Sequence, residues 1–159
     1  MVIFLSNSFY NQDKIPEYIH VEQFDVVEVF LHSEDGCESK IRKRGQHGSY
    51  TYVHSLRIRG DDNFKHELKK PITARDFNIL WQQKDDTKRP LNKSRKCFIY
   101  IQQLYVIDSI EDQNKKKIHL LRFDTQAKDE NDVYIPPFLK VLKEVSDEKE
   151  FSSFFLSKN

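Results

Sequence analysis

The fold is decided by the stretch Lys40-Ile41-Arg42-Lys43-Arg44-Gly45-Gln46-His47-Gly48-Ser49-Tyr50-Thr51-Tyr52 and its flanks. Side chains alternate with a period of two on both sides of residues 45–48, which predicts strands over residues 37–44 and 50–59. Gly45 and Gly48 can take the positive φ that a tight turn needs, so the two strands form a hairpin.

The same alternation continues along the chain, in segments too short for helices. It predicts further strands over residues 2–5, 24–31, 64–69, 95–100, 104–109, 117–124 and 139–145. Pro71 is expected to end the fifth strand. Thr73 and Asp76 predict a capped helix over 74–83, and Ser146 is expected to cap a second helix that carries Phe151. Residues 125–132 are expected to form a solvated loop.

These elements predict a mainly β protein of the α+β class, with about eight antiparallel strands and a few short helices. Closure into a barrel would remove the exposed edges of such a sheet. The 159 residues contain no internal linker or repeat, so we expect residues 1–159 to form a single domain.

Composition excludes several functional classes. Aromatic residues make up 13% of the chain, which excludes a disordered charged tail. The glycines form no phosphate-wrapping motif, so a P-loop or Rossmann enzyme is excluded, and the histidines have no metal-ligand spacing. No apolar run is long enough for a transmembrane helix or a signal peptide, so we expect an intracellular, cytoplasmic protein.

Although the net charge is only +1, the charges lie in blocks. Residues 15–39 hold seven acids and no Lys or Arg, whereas residues 39–60 hold six basic residues and no acid. Strand parity puts Arg42 with Arg44, Arg57 with Arg59, and Lys93 with Arg95 on shared faces. Such pairs are either solvated charges or, if they point inward, a site for a polyanion such as a phosphate chain.

Several segments together resemble a CYTH-like domain, the fold of the triphosphate tunnel metalloenzymes. They are residues 42–52, 73–77 (Thr-Ala-Arg-Asp-Phe), 93–98 (Lys-Ser-Arg-Lys-Cys-Phe), 136–139 (Pro-Pro-Phe-Leu) and 143–145 (Lys-Glu-Val). The pattern most resembles the C-terminal domain of the TRPL translocation defect ATP/GTPase family. The resemblance implies an eight-stranded antiparallel barrel that binds triphosphate through basic side chains and Mg²⁺ or Mn²⁺ through carboxylates.

Carried over residue by residue, the resemblance implies phosphate contacts from the basic side chains of the barrel. These are Arg42, Arg44, Arg57, Lys93 and Arg95. It also implies residual metal-binding or salt-bridging carboxylates, namely Glu67, Asp108, Asp124 and Glu144.

The sequence departs from the tunnel enzymes in its acidic residues. The first strand, residues 2–5, has no glutamate where these enzymes have a Glu-x-Glu pair, and Arg122 stands where a metal-binding carboxylate is expected. Because Mg²⁺ needs oxygen ligands, these departures argue against hydrolysis, and no catalytic residue, metal site or cofactor is predicted. The P-loop domain that precedes this domain in the translocation defect family is not part of the sequence, so we expect an excised domain or a stand-alone relative.

Three hypotheses follow. The leading one is a catalytically inactive module that binds a phosphorylated anion, such as triphosphate, GTP or a phosphatidic acid headgroup. The second is a structural or adaptor subunit of a larger assembly, in which Arg95 or Arg122 pairs internally with Glu67 or Glu144. The third is a divergent triphosphatase that uses Mg²⁺ and the four carboxylates. Nucleic-acid binding is not expected, because Tyr50 and Tyr52 lie on the opposite face of their strand from Arg57.

Overall fold

The computed structural model of the chain describes residues 1–6, 15–60, 63–124 and 134–159. The strands are β1 (Val2–Ser6), β2 (Val21–Leu31), β3 (Cys37–Gln46), β4 (Ser49–Gly60), β5 (Asn63–Ile72), β6 (Leu91–Tyr100), β7 (Gln103–Glu111), β8 (Lys117–Phe123) and β9 (Val141–Glu144). The helices are α1 (Ala74–Trp81) and α2 (Ser153–Leu156), and Lys149–Phe151 forms a 3-10 turn. The predicted mainly antiparallel β structure is confirmed, with nine described strands rather than eight.

Residues 24–92 and 152–159 form one compact unit. Its strands follow the order β5-β4-β3-β2, and every neighbouring pair is antiparallel. Helix α1 packs on one face of these strands, where Phe77 joins Val29, Leu31 and Ile41 in a buried apolar cluster. The predicted capping box is present: the Thr73 hydroxyl accepts a hydrogen bond from the Asp76 amide at 3.1 Å.

The hairpin between β3 and β4 forms where the sequence predicts it. Gly45 and Gly48 have φ values of +154° and +82°, a region that favours glycine. A Cβ at position 45 would lie 2.0 Å from the carbonyl oxygen of Ser49, so only glycine fits there. The turn therefore sets the register in which Arg42 pairs with Val53.

Residues 1–23 and 93–151 form the second compact unit. Its strands follow the order β6-β7-β8-β1-β9, again with antiparallel neighbours. One face buries an aromatic core, in which Tyr105 is fully buried between Phe98 and Phe123, with ring centroids 5.5 and 5.1 Å away.

Three local predictions are wrong. Pro71 does not end β5, which continues to Ile72. Proline is tolerated there because, among the described residues, β4 is the single strand neighbour of β5. Ser146 caps no helix, since its hydroxyl accepts a hydrogen bond from the Ile3 amide at 3.0 Å. The second helix begins later, at Ser153, and Ser152 is its cap. The predicted loop over 125–132 lies outside the described residues.

The described strand pairings do not close the barrel that the sequence predicts. Strand β5 ends one order and β9 ends the other, and each has a single strand neighbour among the described residues. Within each unit the described strands therefore pair in an open antiparallel order, and the single-domain organisation of residues 1–159 stays a prediction.

Candidate functional site: two basic strand faces

The face of β2–β5 opposite α1 is charged. Directly paired residues of antiparallel strands lie on the same face. The register pairs Glu28 with Arg42, Glu38 with Arg57, and Arg57 with Glu67, which assigns all five side chains to this face. Its described charged residues are Glu28, Glu38, Lys40, Arg42, Arg44, Arg57, Glu67 and Lys69. We call this surface the Arg42 face; it holds five basic and three acidic side chains.

Much of this charge is paired within the face. Arg57 donates from Nε to Glu67 Oε1 at 3.0 Å, and its other nitrogen Nη1 lies 3.6 Å from Glu38 Oε1. Lys69 contacts the second oxygen of Glu67 at 3.1 Å, and Lys40 lies 3.6 Å from buried Glu28. Burial raises the pKa of Glu67, but hydrogen bonds from Lys69 and Arg57 outweigh burial and lower it.

Arg42 and Arg44 lie at the hairpin end of the same face. Arg42 is half-buried and stands between Glu28 and Val53 in the register. Arg44 is exposed, and its guanidinium stacks 4.3 Å from the centroid of the Phe24 ring. Arg42, Arg44 and Arg57 thus lie on one face of this unit, whereas the sequence put Arg57 with Arg59 on a separate face.

The second unit carries another charged cluster, on the face of β6–β8 opposite its aromatic core. Asp108 is 0% exposed and accepts two hydrogen bonds from Arg95, Nε to Oδ1 at 2.6 Å and Nη2 to Oδ2 at 2.7 Å. Arg122 Nη1 lies 3.6 Å from Oδ2 of the same carboxylate. Lys93, which is 3% exposed, shares a face with Arg95. We call these four residues the Asp108 cluster.

Asp108 stays ionised because of its neighbours. Burial raises its pKa, but the hydrogen bonds and charge of Arg95 and the charges of Lys93 and Arg122 outweigh burial, so the pKa lies below its usual value. One carboxylate therefore faces three basic side chains in this cluster.

Arg122 has the least complete set of contacts in the cluster. Its side chain is only 17% exposed, and its Nε is buried with no hydrogen-bond partner among the described residues. Its directly paired neighbours, Val106 and Ile3, are apolar and offer no side-chain acceptor. A buried guanidinium N–H without an acceptor is costly and points to a ligand atom or another missing acceptor.

The structure does not bring the four predicted carboxylates together. Glu67 belongs to the first unit and pairs with Arg57 and Lys69. Within the second unit, Asp124 is 90% exposed and lies 3.6 Å from the N-terminal amine, and Glu144 accepts a hydrogen bond from the Ser146 hydroxyl at 2.6 Å. The predicted pairing of Arg95 or Arg122 with Glu67 or Glu144 is not among the described contacts; both arginines pair with Asp108 instead.

These residues do not fit a divalent metal ion. Mg²⁺ requires several oxygen ligands in near-octahedral array. On both charged faces, each described carboxylate already contacts a basic side chain, and no group of three His, Cys, Asp or Glu side chains suitable for a metal occurs in residues 1–6, 15–60, 63–124 and 134–159.

Sequence reasoning missed four residues of the Arg42 face: Glu28, Glu38, Lys40 and Lys69. A signal for two of them was present. Glu28 alternates with Phe24, Val26 and Phe30, so it had to share their buried face, and Lys40 continues the spacing of Arg42 and Arg44.

Several solved structures have a fold similar to that of this chain. The inorganic triphosphatase NE1496 superposes with a TM-score of 0.65 at 18% identity, covering 98% of this chain and 91% of that one. HpAC1 from Hippeastrum, which shows a dominant triphosphatase activity, gives a TM-score of 0.56 at 13% identity and 80% coverage of both chains. The PH1819 protein from Pyrococcus horikoshii OT3 gives 0.53 at 11% identity, covering 77% of this chain and 76% of its own.

No family model matches the chain, and no curated protein matches it. The structural likeness shows that the chain has the CYTH-like fold of the triphosphate tunnel proteins, and at these identities it shows the fold alone. The narrower resemblance to the translocation defect family stays a prediction. Among the described residues, no helix is long and apolar enough to cross a membrane.

Proposed function

We propose that this chain, which has the fold of the triphosphate tunnel proteins, is a binding module for a phosphate-rich anion and does not hydrolyse it. In the first unit, the proposed phosphate contacts are Arg42 and Arg44 on the Arg42 face. In the second unit, taken by itself, they are Lys93, Arg95 and Arg122 in the Asp108 cluster. Arg57 contributes less, because its guanidinium is already held between Glu38 and Glu67.

The buried Arg122 Nε is the observation that carries this proposal. A guanidinium N–H without an acceptor is stabilised by an anionic oxygen, and phosphate presents oxygens in the spacing of the guanidinium fork. The charge balance supports the same ligand: five basic against three acidic side chains on the Arg42 face, and three against one in the Asp108 cluster.

The carboxylates support the proposal that the chain does not hydrolyse its ligand. Phosphoryl transfer in metal-dependent sites relies on a cation held by acidic side chains. Here Asp108, Glu28, Glu38 and Glu67 contact basic side chains. Releasing one of them to a metal ion would leave a basic side chain without its counter-charge.

The proposal is tested by the thermal unfolding of the purified chain with tripolyphosphate, GTP or a soluble short-chain phosphatidic acid, at constant ionic strength. A ligand at 100 times its Kd adds about 2.7 kcal/mol to the free energy of unfolding, which is roughly 5–11 °C for a chain of this size. Comparing the three ligands shows whether the chain prefers a phosphate chain, a nucleotide or a lipid headgroup.

The matched variants are Arg44→Glu and Lys43→Glu. Both reverse one charge on β3, but Lys43 lies on the opposite face and stacks on Tyr50 at 4.0 Å. We expect Arg44→Glu to weaken the ligand shift and Lys43→Glu to keep most of it. Equal shifts in the two variants would contradict binding at the Arg42 face.

A structural or adaptor role is the second candidate, and the bidentate Arg95–Asp108 pair favours it. On this proposal the basic side chains are neutralised internally, and the module packs within a larger assembly at a membrane or elsewhere in the cytoplasm. A folded chain that none of the three ligands stabilises would support it. Release of phosphate from tripolyphosphate that stops with EDTA would instead establish a divergent, Mg²⁺-dependent triphosphatase.

A further inference from the structure

Both oxygens of Asp108 are already engaged. Oδ1 accepts from Arg95 Nε, and Oδ2 accepts from Arg95 Nη2 while lying 3.6 Å from Arg122 Nη1. A divalent ion that approached this fully buried carboxylate would compete with the guanidinium groups that already contact both of its oxygens. It would also have to approach the positive charges of Lys93, Arg95 and Arg122.

Arg122 places a guanidinium group beside the Asp108 carboxylate. Its Nη1 is directed to Asp108, whereas its Nε is buried with no partner among the described residues. The guanidinium therefore contacts the carboxylate at one nitrogen and has a donor at another. A metal ion would supply positive charge beside Asp108; here the Arg122 guanidinium supplies it.

We infer that Arg122 takes the place of a divalent cation in this site, so that the chain binds the metal-free form of its phosphate ligand and Mg²⁺ weakens binding. The inference rests on the proposed function and specifies the form of the ligand. Mg²⁺ bound to a polyphosphate removes two negative charges and adds a cation that meets three basic side chains. The free polyphosphate keeps its full charge for Arg122 and its neighbours.

The expected effect of Mg²⁺ on ligand affinity is the opposite of its effect at a metal-dependent site. There, EDTA abolishes binding; here, EDTA strengthens it and excess Mg²⁺ opposes it. Substitution of Arg122 should reduce both the affinity and the preference for the metal-free ligand.

The test is calorimetric titration of the full chain with tripolyphosphate, in EDTA and in excess Mg²⁺, at equal ionic strength. The variants are Arg122→Gln and, as a matched control, Lys117→Gln, which removes one exposed charge from the same strand. In EDTA we expect Arg122→Gln to bind about 10- to 100-fold more weakly than the parent, the loss of one hydrogen bond to a charged group. Lys117→Gln should stay within about 3-fold of the parent, since exposed charges contribute little.

The outcomes separate the two proposals. Parent binding in EDTA with an unchanged Arg122→Gln affinity would overturn the role of Arg122 and leave the proposed function standing. Tighter parent binding in Mg²⁺ than in EDTA would also overturn it. No binding by the parent under either condition would overturn the proposed function together with this inference.

Folding of the variant is checked by circular dichroism. If Arg122→Gln does not fold, Arg122→Lys retains the positive charge but loses the Nε donor and the planar fork. We expect weaker binding in EDTA for that variant, and binding equal to that of the parent would contradict the inference. The comparison of EDTA with Mg²⁺ in the parent needs no variant.

Discussion

Replacing Asp108 by asparagine should produce one of the largest losses of stability available in this chain. The substitution removes the carboxylate that contacts both Arg95 and Arg122, while the side chain stays nearly the same size. Breaking a buried ion pair by removing one partner costs about 3–5 kcal/mol, because the other charge is left uncompensated. At roughly 2–4 °C per kcal/mol, the melting temperature should fall by about 6–20 °C.

The loss should depend on pH in a defined direction. The pKa of Asp108 is lowered in the folded chain, so its ionisation stabilises the fold above the unfolded pKa of about 3.9 and that contribution is lost as the pH falls through the lower, folded value. The difference in unfolding free energy between the parent and Asp108→Asn should therefore be largest near pH 7 and should shrink below about pH 4.

The assay is urea unfolding followed by circular dichroism, for Asp108→Asn, Arg95→Gln, the double variant and Asp124→Asn. Asp124 is exposed, so its substitution controls for the loss of one carboxylate and should change stability by no more than about 0.5 kcal/mol. The Arg95–Asp108 cycle should give a coupling of about 2 kcal/mol or more. An Asp108→Asn cost below about 1 kcal/mol, or no coupling, would refute the buried pair as a source of stability.

Three further substitutions test local parts of the structure. Thr73→Ala removes the capping box of α1 and should cost about 1 kcal/mol in urea unfolding. Gly45→Ala places a Cβ 2.0 Å from the Ser49 carbonyl oxygen and should destabilise the chain far more than Gly48→Ala, where nothing lies within 4 Å; equal melting temperatures would contradict this. Burial opposes ionisation of Asp85, but hydrogen bonds from Lys88 and Thr87 lower its pKa to about 2, so Asp85→Ala should reduce stability above about pH 4, with the loss fading towards pH 2 in acid-unfolding curves.

The strands and their faces were predictable because they depend on local alternation. Parity alone put Arg42 with Arg44, and the two glycines located the hairpin that sets the register of β3 on β4. The C-terminal helix was misplaced because Ser146 and Ser152 are both plausible caps in sequence. The choice depends on Ile3, a residue 143 positions away, which uses the Ser146 hydroxyl as a hydrogen-bond acceptor.

Partners of the charged residues were not predictable in the same way. Parity states which face a side chain lies on, but the partner depends on which strands are neighbours. Arg57 lies between Glu38 of β3 and Glu67 of β5, and only the strand order brings these two carboxylates to it. The same holds for Arg95, whose partner Asp108 follows from the register of β6 on β7.

The choice between a ligand-binding and a purely structural role depends on the basic side chains that internal pairing does not explain. Internal pairs account for Arg57 and Arg95, each of which meets a carboxylate at hydrogen-bond distance. They do not account for Arg122, which lies 3.6 Å from a carboxylate that Arg95 already satisfies and keeps a buried N–H without an acceptor in the described part of the chain. A fold under selection for stability alone would gain from an apolar side chain there, because its paired neighbours Val106 and Ile3 are apolar. On the proposed function, an arginine at this position is explained by an anionic ligand that accepts from its Nε.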